Sequence, residues 1–90
     1  MISPQMIAEF FGTFILVIAI LLSGQPVYIA AAFLAAITIA GGISGGHLNP
    51  AVSLTMFVKG DMSAMKTGQY AVAQIAGALA ALAVAKTIKK

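Results

Sequence analysis

Asn49 is the residue of this sequence best suited to contact a small polar molecule. It directly precedes Pro50 and an apolar stretch that ends near Val58, and this arrangement is typical of the first turn of an α-helix. The side-chain amide would offer a hydrogen-bond donor, and the helix N-terminus would add a partial positive charge. Together they could orient the oxygen of a water molecule and repel cations and protons. Taken alone, Asn49 could also be an ordinary helix cap in a buried turn.

The remaining polar residues do not form a catalytic or metal-binding set. The sequence has no cysteine, a single histidine (His47) and two acidic residues (Glu9 and Asp61). A metal site or an acid–base pair needs more such groups at a suitable spacing. The net charge of +3 comes from five lysines, which are too few for a nucleic-acid surface. We therefore expect no enzyme activity, no cofactor, no metal ion and no nucleic-acid partner.

The overall composition predicts an integral membrane protein. Of the 90 residues, 61% are hydrophobic and 8% are charged, and the mean hydropathy is +1.06. A soluble domain of this size would need more polar surface. Three stretches, at residues 6–22, 26–41 and 67–88, are apolar and long enough to cross a bilayer as helices. The expected protein is multi-pass, has the lipid bilayer as a partner, and is assigned to the cell (inner) membrane.

Residues 41–58 predict a loop that enters the membrane and returns as a half-helix. The segment 41–49 is rich in glycine, and a helix that starts at Pro50 can extend only to about residue 58, before Lys59-Gly60-Asp61. Nine residues at about 1.5 Å each span roughly 13 Å, about half of a ~30 Å hydrocarbon core. Open backbone at this depth is stable only where it lines a wet cavity or is buried in protein.

Three motifs, taken together and in this order, resemble the aquaporin family, the major intrinsic proteins. Gly45-Gly-His-Leu-Asn-Pro-Ala-Val-Ser53 resembles the first signature loop of that family. Ala8-Glu-Phe-Phe-Gly-Thr-Phe14 is similar to its first helix, and Tyr70-Ala-Val-Ala-Gln-Ile-Ala-Gly77 to its third. The resemblance implies an all-α membrane protein with three transmembrane helices and one re-entrant half-helix, which is half of the aquaporin fold. We treat residues 1–90 as a single half-repeat.

The sequence departs from the family pattern in two respects. Family members carry two such halves in one chain, inverted relative to each other, and this sequence matches one half. The second half usually reads Asn-Pro-Ala-Arg, and its arginine helps to form the outer selectivity filter. The matching position here is Val52, and the sequence contains no arginine. Because a pore needs two half-helices that meet, we expect an inverted homodimer in which pseudo-symmetry becomes true symmetry. Family members assemble as tetramers of six-helix units, so the resemblance also implies a tetramer of such dimers.

The resemblance also implies roles for individual residues. The Asn-Pro-Ala motif, Asn49, Pro50 and Ala51, would lie at the pore constriction. The loop before it would supply backbone carbonyls as acceptors, from Gly45, Gly46, His47 and Leu48. The filter region would include Tyr28 and Ile29 of the second span and Val52 of the half-helix, and the loop would be braced by Glu9 of the first span and Gln74 of the third.

Glu9 is open to two interpretations. An acidic residue inside a transmembrane span is a functional candidate by default. It could brace the re-entrant loop by hydrogen bonding, as the resemblance implies, or it could bind and release a proton in a proton-coupled carrier. The presence of a loop to brace favours the first interpretation. Gln74 has its own alternative, an ordinary hydrogen bond between two helices.

We expect the protein to conduct water or small uncharged solutes passively, through a pore between two inverted copies of the chain. One alternative is a small dual-topology, proton-coupled transporter that uses Glu9. The other is a non-conducting membrane partner, for instance one that pairs with a full-length relative. Osmotic flux from the chain alone would favour the channel over both alternatives.

Overall fold

A computed structural model describes residues 2–89 of the chain, which form four α-helices. They are α1 (Pro4–Ser23), α2 (Pro26–Ser44), α3 (Pro50–Lys59) and α4 (Ala64–Ile88). By length and composition α1, α2 and α4 can each cross a membrane. At about 1.5 Å per residue, α1 and α2 reach roughly 30 Å, whereas α3 reaches roughly 15 Å. The prediction of three apolar helices long enough to span a membrane and one helix of about half that length is confirmed.

The helix ends follow from local residue chemistry. All three prolines of the sequence, Pro4, Pro26 and Pro50, occupy the first position of a helix, where the missing N–H has no cost. Ser3 and Ser63 cap α1 and α4, because their hydroxyls accept hydrogen bonds from backbone N–H groups of the first turn.

All three long helices extend further than the sequence suggested. α1 covers Pro4–Ser23 rather than residues 6–22, because Ser3 caps a helix that starts at Pro4. α2 continues to Ser44 rather than ending near residue 41, because the chain leaves the helix only at Gly45, which has a φ of 90°. Glycine inside a helix weakens it without ending it, so Gly41 and Gly42 stay helical. α4 starts at Ala64 rather than 67, behind its Ser63 cap. The loop before α3 therefore comprises only residues 45–49.

The helices are arranged in the order α2, α1, α4, α3. α1 packs against both α2 and α4, and α3 packs against α4. Within residues 2–89, no Cα atom of α3 lies within 8 Å of a Cα atom of α1 or α2. A small cluster of Ala36, Ala40 and Leu48 joins α2 and the loop to α1. One side of the half-length helix is thus covered by this chain, and its remaining surface is open.

The outer surface of this arrangement is apolar. Large hydrophobic side chains are exposed on all four helices, among them Phe11, Leu34, Val58 and Leu79. Such a surface would be unstable in water and is typical of a protein whose surroundings are hydrocarbon or further helices.

Candidate functional site

The loop Gly45–Asn49 folds back onto α1 through three residues with left-handed backbone angles. The φ values are 90° at Gly45, 63° at Gly46 and 56° at Leu48, and glycine adopts this region without strain. Leu48 has a Cβ and does carry the strain, but its side chain is buried against Gly12 of α1. A Cβ on Gly12 would overlap a terminal methyl group of that side chain, so Leu48 would have to shift to make room for it.

Glu9 of α1 is fully buried, and its carboxylate accepts four hydrogen bonds. Two come from loop backbone N–H groups, from His47 to Oε2 at 3.1 Å and from Leu48 to Oε1 at 2.8 Å. The other two come from side chains, the Ser44 hydroxyl to Oε2 at 2.5 Å and the Gln74 amide to Oε1 at 2.7 Å. The short Ser44 contact is typical of a hydroxyl that donates to a carboxylate. The carboxylate thereby joins α1, α2, α4 and the loop.

A second group of contacts ties α3 to the same centre. Ser53 of α3 is fully buried, and its Oγ lies 3.1 Å from Gln74 Nε2 and 2.9 Å from His47 Nδ1. The Gln74 amide therefore contacts both Glu9 and Ser53. These bonds hold the first turn of α3 against α4, which is the one helix that it contacts within the described chain.

Tyr70 of α4 closes the network at the end of α2. Its hydroxyl donates to the Ser44 carbonyl oxygen at 2.8 Å, and its ring lies 5.0 Å from the His47 ring between centroids. The site residues predicted from the sequence did not include Tyr70, Ser44 or Ser53. Their signal in the sequence is a polar group within an apolar stretch, which in a membrane must find a partner.

Asn49 caps α3 in a way that leaves its amide nitrogen free. The side-chain Oδ1 accepts a hydrogen bond from the Ala51 N–H at 2.8 Å, and the Asn49 carbonyl accepts from Val52 and Ser53. No acceptor for the Nδ2 group lies within the described part of the chain. Asn49, Pro50 and Ala51 are all exposed. The N-terminus of α3 therefore presents two amide hydrogens, together with the positive end of the helix dipole, to the open side of the fold.

Four successive carbonyl oxygens precede this donor. Those of Ser44 and Asn49 are hydrogen-bonded, to the Tyr70 hydroxyl and to the first turn of α3 respectively. Between them, no donor among residues 2–89 reaches the carbonyls of the loop, at Gly45, Gly46, His47 and Leu48. The loop thus carries a row of unpaired acceptors that ends at the Asn49 amide.

The three residues predicted for a filter region do not meet within the chain. Tyr28 is exposed near the start of α2, and Ile29 is half-buried in an apolar depression beside Leu16 and Phe33. Val52 is half-buried in the first turn of α3, and α2 and α3 are not in contact. Any site that combines them requires a second set of helices. Across residues 2–89 no three His, Cys, Asp or Glu side chains lie close enough together to hold a metal ion.

Comparisons with known proteins point to one family. The sequence model of the Major intrinsic protein family matches residues 2–90. The chain is 41% identical over 90 residues to Glycerol uptake facilitator protein-like 6 of Lactiplantibacillus plantarum and 48% identical over 92 residues to Aquaporin Z of Brucella melitensis. It is 40% identical over 92 residues to human Aquaporin-9. These matches cover 90%, 86% and 86% of this chain but only 42%, 40% and 31% of the respective relatives. The chain therefore spans less than half the length of the curated relatives that it matches.

Proposed function

Because the chain belongs to the major intrinsic protein family, we propose that it forms half of a membrane channel that passively conducts water or small uncharged solutes. The observation that carries the proposal is the free Asn49 amide at the N-terminus of α3, next to four unpaired loop carbonyls. The three apolar helices and the family make the chain an integral, multi-pass membrane protein.

The polar groups of the loop suit a neutral, hydrogen-bonding solute. Water and polyols both donate and accept hydrogen bonds, so they can exchange along a row of acceptors and meet the Asn49 donor through an oxygen. A cation would meet the positive end of the α3 dipole, which opposes its passage. Asn49, Pro50 and Ala51 form the constriction in this proposal, and the carbonyls of residues 45–48 lead to it.

Glu9 and Gln74 act as braces for the loop in the proposed channel. An isolated loop of five residues with three left-handed backbone angles would not hold one conformation by itself. Hydrogen bonds from two loop N–H groups to the buried Glu9 carboxylate fix the position of the loop. A carrier that loads a proton on Glu9 is less well supported, because the lone pairs of both carboxylate oxygens already face hydrogen donors.

The second half of the pore would come from an inverted copy of the same chain. In hydrocarbon, each unpaired loop carbonyl would cost several kcal/mol, and α3 leaves most of its surface uncovered. A copy related by a two-fold axis in the membrane plane would place its own α3 against this open side. Its α3 would run towards the side where α2 of the first copy begins, so Val52 of one copy would share a side with Tyr28 and Ile29 of the other. A tetramer of such dimers would follow the family's assembly.

Reconstitution of the chain alone into proteoliposomes tests the proposal. Under an osmotic gradient, stopped-flow light scattering should give a shrinkage rate above that of protein-free vesicles. If the chain folds and inserts but the rate equals that of protein-free vesicles, then the homodimeric channel is wrong. Recovery of flux on adding a separate second half-repeat would then favour a partner from another polypeptide.

A further inference from the structure

The hydrogen bonds that lead from Glu9 to His47 have a direction that can be worked out atom by atom. Glu9 Oε1 accepts from the backbone N–H of Leu48 and lies 2.7 Å from the Gln74 amide. An amide oxygen at that distance would be repelled by the carboxylate oxygen, so the atom that faces Glu9 must be the Gln74 nitrogen. One amide hydrogen is therefore used at Glu9, and the orientation of the Gln74 side chain is determined.

The second hydrogen of the same nitrogen is directed at Ser53. The Nε2 atom lies 3.1 Å from Ser53 Oγ, so the Ser53 oxygen accepts there. The hydroxyl keeps one lone pair and its own hydrogen, and because Ser53 is fully buried that hydrogen needs an acceptor. Within residues 2–89 the acceptor in reach of that hydrogen is His47 Nδ1, at 2.9 Å. Gln74 Oε1 is buried and takes part in no hydrogen bond with the described residues, Ser53 included, so it does not compete for the Ser53 hydrogen.

We infer that Ser53 is a positioning residue that holds His47 as the neutral tautomer with its hydrogen on Nε2. In this tautomer Nδ1 accepts from Ser53, and Nε2 becomes the free donor of a half-buried ring. Nε2 lies beside the loop, since a Cβ built on Gly45 would be 3.5 Å from it. The loop thus carries an N–H group, not a ring lone pair, close to its row of carbonyls. The assignment goes beyond the proposed function and does not depend on whether the chain conducts.

A sequence with one histidine allows a direct test in the intact chain. The chain is labelled with ¹⁵N-histidine, reconstituted in lipid vesicles at neutral pH and measured by solid-state NMR. The expected spectrum has a pyridine-type signal for Nδ1 and a pyrrole-type, hydrogen-bearing signal for Nε2. A pyrrole-type Nδ1 in the wild-type chain overturns the inference, because Ser53 would then have to accept from His47.

Variants separate the role of Ser53 from a general effect on α3. Ser53→Ala should move the Nδ1 signal towards the position of a ring nitrogen without a hydrogen bond, and Ser53→Thr, which keeps the hydroxyl, should restore it. The matched control is Thr55→Ala, which removes an exposed hydroxyl of the same helix that donates only to the Ala51 carbonyl. Its spectrum should equal the wild type. An Nδ1 signal that is the same in Ser53→Ala and in the wild type overturns the role of Ser53. The wild-type spectrum decides the tautomer even if Ser53→Ala does not fold.

Discussion

Gly77 of α4 lies directly against the backbone carbonyl oxygen of Phe10 in α1, with no room for a side chain between them. This contact sits one residue from Glu9 along α1 and one helical turn from Gln74 along α4. The distance between α1 and α4, and hence the 2.7 Å hydrogen bond between Glu9 and Gln74, therefore depends on the absence of a Cβ at residue 77.

Gly77→Ala should destabilise the fold, because its Cβ would overlap the Phe10 carbonyl and force the two helices apart. We expect a cost of about 1–3 kcal/mol, as for other overpacked sites. The measurement is the free energy of unfolding in detergent, by SDS titration followed by circular dichroism. Gly68→Ala is the control in the same helix, since nothing lies within 4 Å of a Cβ there. Equal unfolding free energies for the two variants would contradict the close approach at Gly77.

Glu9→Ala should destabilise the chain more than Glu9→Gln. Alanine leaves four donors without their acceptor, at about 1–3 kcal/mol for each group that stays buried and unpaired. Glutamine keeps one acceptor oxygen, but its NH₂ group would replace the other carboxylate oxygen and face the two donors that bind there. The same SDS titration gives the order. If Glu9→Gln folds as well as the wild type yet conducts nothing, proton chemistry at Glu9 would replace the bracing role.

Asn49→Asp isolates the proposed donor at the constriction. Aspartate can keep the cap bond to the Ala51 N–H, because its oxygen replaces Oδ1, but it has no amide hydrogens to present. We expect slower osmotic water flux and a measurable leak of cations or protons, since each copy of the chain adds a negative charge at the N-terminus of α3. Stopped-flow light scattering and a pH-sensitive dye inside the vesicles measure the two effects. Wild-type values in both assays would remove Asn49 from the pore.

Val52→Arg should reduce the flux of solutes larger than water. Val52 is half-buried and uncharged in the first turn of α3, so each mouth of the proposed dimer lacks a fixed positive group there. We therefore expect the natural chain to pass glycerol or urea as well as water, and the long cationic side chain to narrow the passage. Swelling of vesicles in glycerol and urea gradients measures this, and Val52→Leu controls for added bulk without charge. If the natural chain passes water readily but neither solute at a measurable rate, the prediction is wrong.

The lysines suggest that both orientations of the chain occur in one membrane. Lys59 and Lys66 lie on the side where α1 begins, and Lys86 and Lys89 lie at the opposite end, while Lys90 follows outside the described residues. Because the numbers of lysines on the two sides of the membrane differ so little, the positive-inside rule gives the chain little preference for one orientation. Reporter fusions on the wild-type chain should find both orientations. An active sample in which every chain has the same orientation would contradict the inverted dimer.

Added lysines should test the same pairing by function. Two or three extra lysines before Pro4 should select one orientation, and the same number in the turn at Gly24 and Gln25 should select the other. Each variant alone should lose osmotic flux, and a mixture of the two should regain it. Full flux from either variant alone would mean that the pore does not pair opposite orientations.

Much of the fold could be predicted because a bilayer permits few structures. With no water to pair backbone groups, apolar stretches of about 20 residues must be helices, and the prolines and glycines place their ends within a few residues. The half-length of α3 follows in the same way from Pro50 and Gly60. Local signals also placed Asn49 at a helix cap, because its role there involves only residues within four positions of it in the sequence.

The tertiary structure alone decided which polar groups are partners. Glu9 and Gln74 are 65 residues apart, and Tyr70 and Ser44 are 26 apart, so whether they meet depends on how closely α1, α2 and α4 approach. That approach is set by contacts such as Gly77 on Phe10 and Leu48 on Gly12, which no local pattern specifies. The role of Ser53 also depends on helix packing. A serine in a half-helix has no evident role in the sequence, but the packing of α3 on α4 places it between Gln74 and His47. Sequence chemistry thus determines which groups need a partner, and the close packing of helices determines which partner each one finds.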